Sequence, residues 1–361
     1  MLYWLLLQLQ PQLSFLNVFR YITFRSGMGA LTAFMVVFVL GQPFIEWVKR
    51  KQYGQSVRTD GPQSHLKKQG TPTMGGLLIV LGLSIGTLLW GDLANPYIWL
   101  VLFITWAYAG IGLIDDWKKV TKKNSKGLSS RWKLRLQIIF ALMFSWGIYV
   151  VQKDTPLDGV LYFPFFKNFT LNFGAWYMAF TVFVIVGTSN AVNLTDGLDG
   201  LAIGPAIVCG GVFFLLAYLG GNILYAEYLQ IPHVAGSGEL GVFCASLVAS
   251  GIAFLWFNTY PAQIFMGDVG SLALGGSLGA LGVASKNEIL LAIMGGVFVM
   301  ETVSVIAQVI SFKLTGKRIF KMAPIHHHFE LLGWPEPKVI VRFWIVSFIL
   351  GILALSTLKL R

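Results

Sequence analysis

The 361 residues are 55% hydrophobic and only 12% charged, with mean hydropathy +0.68 and net charge +11. A soluble domain carries about a quarter charged residues. Here the apolar residues also come in long runs, so the chain reads as an all-α polytopic membrane protein. Cys209 and Cys244 both sit inside apolar runs, which excludes a disulfide framework and a cysteine metal site. Basic charge in such a chain marks cytoplasmic loops and anionic lipid before it marks nucleic acid.

In chain order, residues 1–20 lack the basic start of a signal peptide, so the first strong span is expected to act as an uncleaved anchor. About ten spans follow, each near the ~20 residues that cross the hydrocarbon. They lie near 24–45, 74–91, 96–114, 132–151, 168–187, 200–219, 239–257, 263–283, 288–310 and 338–358. The eighth is thinned by Gly267, Gly270, Gly275, Gly276 and Gly279, which blurs its limits more than its existence. Segments 46–73, 115–135 and 311–338 hold most of the 27 basic residues, whereas the loops between them hold only Lys153, Lys167 and Lys286. The positive-inside rule puts the first group in the cytoplasm and, with ten spans, both termini in the periplasm. No inverted repeat or linker marks a second unit, so residues 1–361 are expected to form a single integral membrane catalytic domain. The last basic loop, about 27 residues long, has room for a short helix or hairpin.

Parity then gathers every polar motif on the cytoplasmic side. Asp115 and Asp116 open the loop between spans three and four. Adjacent carboxylates at an apolar boundary repel unless a cation or basic groups offset them, and magnesium suits a few carboxylates plus phosphate oxygens. The plain alternative is a solvated helix end. Asn190-Ala-Val-Asn193-Leu-Thr-Asp196-Gly-Leu-Asp199-Gly supplies four Asn or Asp groups in a short stretch, with Asp196 and Asp199 on one side if helical. Capping explains one of these but not four, and the spacing is not an EF-hand. In Asn258-Thr-Tyr-Pro-Ala-Gln-Ile-Phe265-Met-Gly-Asp268-Val-Gly, Asp268 is either an N-cap or a metal ligand, and Phe265 either stacks on a planar ring or packs against a helix.

Two basic motifs and one buried acid complete the set. Ala323-Pro-Ile-His326-His327-His328 offers switchable charge to phosphate, but consecutive histidines point apart and do not share one ion. Lys67-Lys68-Gln-Gly-Thr71-Pro-Thr73-Met-Gly-Gly suits anion binding at a helix start without being a Walker A motif; positive-inside charge with ordinary capping is the simpler reading. Glu301 lies inside the ninth span, where an ionisable group is either functional or a link between helices.

Carboxylates for a metal, lysines and histidines for phosphate, and a membrane-surface location together suit phosphoryl transfer from a soluble anionic donor to a lipid phosphate. The strings Thr71–Gly76, Asp115-Asp116, Asn190–Gly200, Phe265–Ser271 and Ala323–His328, in this order, closely resemble the MraY family, the phospho-N-acetylmuramoyl-pentapeptide transferases of the polyprenyl-phosphate N-acetylhexosamine-1-phosphate transferase superfamily. The resemblance covers nearly the whole chain. It implies a ten-helix, magnesium-dependent, often dimeric enzyme of the bacterial inner membrane that uses UDP-MurNAc-pentapeptide and undecaprenyl phosphate to make lipid I and UMP. It implies Asp115 as base or nucleophile toward the lipid phosphate, Asp116 in support, Asp268 as magnesium ligand, and His326 in the catalytic set. It further implies Lys68, Thr73, Lys119 and Lys133 at phosphates, Asn190, Asn193, Asp196 and Asn258 around uridine and metal, Phe265 on uracil, and His327 and His328 on substrate. A hexosamine-phosphate transferase acting on UDP-GlcNAc is the alternative within the superfamily. A lipid-phosphate transporter is the alternative outside it, although a transporter calls for charges along a midplane path.

Overall fold

The computed structural model describes residues 2–51, 70–122, 127–166 and 169–359. Among these, eight helices are long and apolar enough to cross a membrane, which makes this a multi-pass all-α membrane protein. They are α2 (Ile22–Arg50), α4 (Pro96–Thr121), α5 (Ser130–Gln152), α6 (Trp176–Thr195), α7 (Ile203–Gly220), α9 (Leu240–Asn258), α12 (Gly296–Thr315) and α14 (Glu336–Ser356). The shorter α3 (Gly76–Trp90) and the glycine-rich α10 (Gly267–Ala284) occupy the second and eighth expected spans. Each expected span therefore holds a helix, although the ninth is broken at Gly295 into α11 (Glu288–Met294) and α12.

Short elements outside the spans had no clear mark in the sequence. They are α1 (Leu2–Leu9), α8 (Ile223–Leu229) and a hairpin of β1 (Val160–Tyr162) with β2 (Thr170–Asn172), paired antiparallel with Leu161 opposite Leu171. The last basic loop does contain a helix, α13 (Ile325–Leu331).

Local chemistry sets the helix limits. Asn95 accepts the Tyr97 N–H and Pro96 fills the first turn, a strong start for α4. At its other end α4 runs on to Thr121, so Asp115 and Asp116 lie within the helix instead of opening a loop. Lys118 and Lys119 in the last turn favour that extension, because cations stabilise a helix C-terminus and reach carboxylates three or four residues back. Likewise α6 runs to Thr195, placing Asn190 and Asn193 in its last turns, and Asn258 is the final residue of α9.

The central helix is α10, with every residue from Val269 to Ala284 buried and with α3, α4 and α6 packed around it. Without a strong hydrophobic drive between helices in lipid, small residues let backbones approach and gain dispersion contact. Gly112 of α4 is among the tightest cases, since a β-carbon there would overlap the backbone of Asp268 and Val269. Large apolar side chains such as Trp176, Phe183 and Trp256 remain exposed on the outside, as a lipid-facing surface requires.

The end of the bundle formed by the N-terminus of α2 and the C-terminus of α3 is closed by a buried ion pair. Arg25 meets Glu239 through two bonds of 2.7 and 2.5 Å and donates to the Trp90 carbonyl at 3.1 Å. Nearby in the outer ends of α6 and α10, the buried Lys286 ammonium stands 4.0 Å over the Tyr177 ring, and the Tyr177 hydroxyl donates to Glu288.

Gly112→Ala is expected to destabilise the detergent-solubilised protein by about 1–3 kcal/mol, because backbone must move to admit the methyl group. Gly110→Ala, whose new methyl would meet nothing within 4 Å, is expected to stay within about 0.5 kcal/mol. Thermal unfolding of the two variants side by side checks the packing of α4 on α10.

Candidate active site

The first turn of α10 is where the acidic motifs converge. Gly267 takes φ +73°, which turns the chain into α10, and a β-carbon there would run into the Asp116 carboxylate and the Thr73 hydroxyl. The segment around Thr73 is held alongside by backbone bonds: Phe265 N–H donates to the Pro72 carbonyl (2.8 Å), Gly75 N–H to Phe265 (2.9 Å) and Gly76 N–H to Met266 (2.8 Å). Three helices then reach Asp268. Lys119 of α4 and Lys133 of α5 donate to Oδ2 at 2.9 and 2.7 Å, and Asn193 of α6 donates to Oδ1 at 2.9 Å. Asn193 also donates to the Ser271 hydroxyl at 2.8 Å.

The adjacent aspartates face inward and are buried, at 3% and 4% exposure. Asp115 accepts the Leu128 N–H at 2.6 Å and pairs with Lys119 at 2.5 Å. Asp116 accepts the Val269 N–H at 3.1 Å. Carboxylate oxygens of Asp115, Asp116 and Asp268 all lie within 4.8 Å of one another, close enough to share one cation. Three hard oxygen donors with no sulfur or imidazole among them suit a magnesium-type ion. Among the described residues, the lysines supply the positive charge that lets this cluster stay buried.

Other expected residues are placed differently. Asp196 caps the C-terminus of α6, and the chain then turns, so Asp196 and Asp199 do not share a helical face. Burial pushes the Asp196 carboxyl well above the usual carboxylate range, and the charges of Asp268, Asp116 and Asp199 add to the rise. Asp199 is a tie between loops, because it accepts the Ala262 N–H at 3.0 Å while its own N–H donates to Glu336 at 3.1 Å. The Asn190 amide donates to Gln137 (3.0 Å) and to the Val186 carbonyl (2.8 Å). The Asn258 amide donates to the Ile264 carbonyl at 2.8 Å and closes the loop before α10. Phe265 is half-buried in the same loop. Lys68 lies outside the described residues.

The three histidines diverge, as their consecutive spacing requires. His326 is fully buried with Nδ1 3.1 Å from Glu301. His327 faces Glu330 at 2.7 Å, and His328 accepts the Lys321 N–H at 3.1 Å. Sequence reasoning missed Gln137, although a glutamine one turn after Lys133 in an apolar helix was a visible signal. It accepts from Asn190 through its side chain and from the Tyr108 hydroxyl through its backbone carbonyl (2.8 Å), fixing α5 where Lys133 can reach Asp268.

This geometry, polar groups on membrane helices arranged for a cation and phosphates, agrees with the comparisons. The profile described as glycosyl transferase family 4 matches residues 98–286, which hold Asp115, Asp116, Asn193 and Asp268. Residues 68–80 match the phospho-N-acetylmuramoyl-pentapeptide-transferase signature 1. A protein of Pelagibacter ubique (strain HTCC1062) named phospho-N-acetylmuramoyl-pentapeptide-transferase is 55% identical over 362 residues, covering 100% of both chains. The chain belongs to the phospho-N-acetylmuramoyl-pentapeptide-transferase family.

Asp199→Ala removes a buried acceptor and is expected to cost about 1–3 kcal/mol of stability. Asp196→Asn is expected to act in the opposite sense. A carboxyl whose folded pKa is raised loses stability as pH climbs above its unfolded value near 4. The neutral amide avoids that loss, so thermal unfolding at pH 7 should show Asp196→Asn at or above wild type, and the gap should shrink toward pH 4.

Proposed function

We propose that the protein transfers phospho-MurNAc-pentapeptide from UDP-MurNAc-pentapeptide to undecaprenyl phosphate, releasing UMP and lipid I for peptidoglycan synthesis. The observation that carries this reading is the meeting of Asp115, Asp116 and Asp268 with Lys119 and Lys133 at the ends of membrane helices, in a chain of this family. The whole chain acts as one catalytic unit in the bacterial inner membrane, a homodimer by its resemblance to the family, with the site on the cytoplasmic face. The basic segments around that end support the orientation.

Asp268, with Asp115 and Asp116 around it, would hold magnesium, which when bound neutralises charge on the donor diphosphate and the UMP leaving group. Lys119 and Lys133 bind phosphate oxygens from the two sides of the cluster. Asp115 acts as base. It takes the remaining proton of the lipid phosphate, whose oxygen then bonds to the sugar-bearing phosphorus as the bond to UMP breaks. Asn193 orients Asp268. Thr73, Asp196, Phe265 and the histidines form the surroundings of the nucleotide sugar, with Lys68 among the groups that meet its phosphates.

The lipid has a place beside this site. An apolar cavity of about 380 Å³ between α2, α3 and α4 is lined by residues including Phe44, Met74, Leu77, Leu113 and Trp117, with Lys118 at its edge. An apolar recess beside an ammonium fits a polyprenyl chain that ends in phosphate. Leu77→Trp is expected to raise KM for undecaprenyl phosphate by about tenfold, a loss typical of one filled apolar contact, while leaving KM for the nucleotide sugar unchanged in steady-state UMP assays.

The defining test is UMP release by purified protein with undecaprenyl phosphate, magnesium and either UDP-MurNAc-pentapeptide or UDP-GlcNAc. Release from the muramyl substrate alone is expected, abolished by EDTA and cut about a hundredfold or more in Asp268→Asn. Release only from UDP-GlcNAc assigns the chain the sister activity. No release from either by folded protein rejects the transferase reading.

A further inference from the structure

The convergence of helices on Asp268 is repeated one layer further into the bundle. Tyr108 of α4 has no exposed surface, and its hydroxyl donates to the Gln137 backbone carbonyl of α5 at 2.8 Å. Gln137 is also buried, and its side-chain oxygen accepts from the Asn190 amide of α6 at 3.0 Å. The Tyr108 ring lies against α10 at Gly276, where a β-carbon would come within 2.9 Å of it. These are the same helices that meet at Asp268. Each adds a second residue one or two turns from the first: Tyr108 before Asp115, Gln137 after Lys133, Asn190 before Asn193, and Gly276 after Asp268.

Two contacts do what one cannot. A helix held at a single point can still pivot and turn about its own axis, and one residue of rotation swings a side chain by about 100°. Lys133 stands in the first turn of α5 and must reach Asp268 across from it. On one side of Lys133 the Leu128 N–H is bonded to Asp115, and on the other Gln137 is bonded to α4 and α6. Lys133 and Gln137 share a helix face, so a turn of α5 that breaks one set of bonds breaks the other. The Gln137 amide also shows how the layer uses it: the oxygen is bonded, while the buried nitrogen has no partner. The Asn190 nitrogen is engaged by Gln137 and by the Val186 carbonyl of its own helix.

We infer that Tyr108, Gln137 and Asn190 form a positioning layer for the transfer reaction, in which Gln137 holds Lys133 against Asp268 and Asn190 acts through Gln137 instead of on the nucleotide. The inference rests on the transferase reading for its reaction and on these bonds for its geometry. The first residue of the Asn190–Gly200 motif thereby leaves the set expected around uridine and metal, and its partner Asn193 alone carries α6 to the carboxylates. Polar side chains that join helices inside a span hold them in register, and here the register delivers an ammonium group to the site.

The test reads Lys133 directly and through catalysis. Limited acetylation of the purified protein, mapped by peptide mass spectrometry, is expected to modify Lys133 about threefold faster or more in Gln137→Leu than in wild type, as an ion pair with Asp268 is released. The exposed Lys317 serves as an unchanged reference. Gln137→Leu is expected to lower kcat/KM for the nucleotide sugar about tenfold, but less than about twofold in a Lys133→Gln background. Asn190→Ala should likewise lower kcat/KM, and by less than about twofold in the Gln137→Leu background. It leaves α5 unaltered and carries the comparison with Lys133→Gln if Gln137→Leu does not fold. Gln137→Glu keeps an acceptor oxygen at the same reach, and the lost nitrogen had no partner, so it should stay within about threefold of wild type. Unchanged Lys133 acetylation, equal losses with and without Lys133, an Asn190→Ala loss that persists in the Gln137→Leu background, or Gln137→Glu no better than Gln137→Leu would each overturn the proposal. Absence of UMP from wild type would instead reject the transferase reading, and the acetylation of Lys133 would still decide the positioning.

Discussion

The carboxylate of Asp268 joins four helices. Its own helix, α10, presents it, and α4, α5 and α6 each send a polar side chain to it. That convergence depends on the close fit of α4 against the start of α10, where Gly112 faces the Asp268 backbone. If those helices stood one side chain further apart, Lys119 and Asp116 would lose the turn of α10 to which both are bonded. The buried carboxylates tolerate one another because two ammonium groups and two backbone N–H groups face them. Packing in the membrane and charge in the site are thus one problem, solved at one contact.

Around this contact the loops are stitched by single bonds. Asp199 binds the loop before α10 and is bound by Glu336 of α14, while Asn258 closes that loop on itself. These residues look like ligands in sequence because Asp and Asn serve both purposes. The structure separates them by the bonds described: the Asp199 carboxylate accepts a backbone N–H and the Asn258 amide donates to a backbone C=O, whereas Asp268 meets two ammonium groups and the Asn193 amide.

The spans were legible because hydrocarbon thickness imposes a length and an apolar composition that no other environment demands. The convergence of the acidic motifs was legible only through loop parity, and it survived although Asp115, Asp116, Asn190 and Asn193 belong to helices that run past the expected boundaries. Those boundaries failed for a physical reason, since polar residues that find partners inside the protein do not end a helix. The pairing of Glu301 with His326 and the ties made by Asp199 and Asn258 join residues far apart in sequence, and no spacing rule encodes them. The hairpin and α8 lie in short loops where propensity is a weak guide.

The buried basic residues at the opposite end of the bundle bear on how substrates arrive. Arg25 is matched by Glu239, and Lys286 is enclosed over Tyr177 beside Glu288, so neither projects much field into solvent. Most of the chain's lysines and arginines belong instead to segments 46–73, 115–135 and 311–338, the second of which supplies Lys119 and Lys133 to the carboxylate cluster. Basic charge is therefore concentrated in the segments that flank the site in sequence. A phosphorylated solute, whether dissolved or carried on a lipid, meets an attractive potential at one end before it touches any residue. Its capture rate should fall with ionic strength even where the chemistry that follows does not.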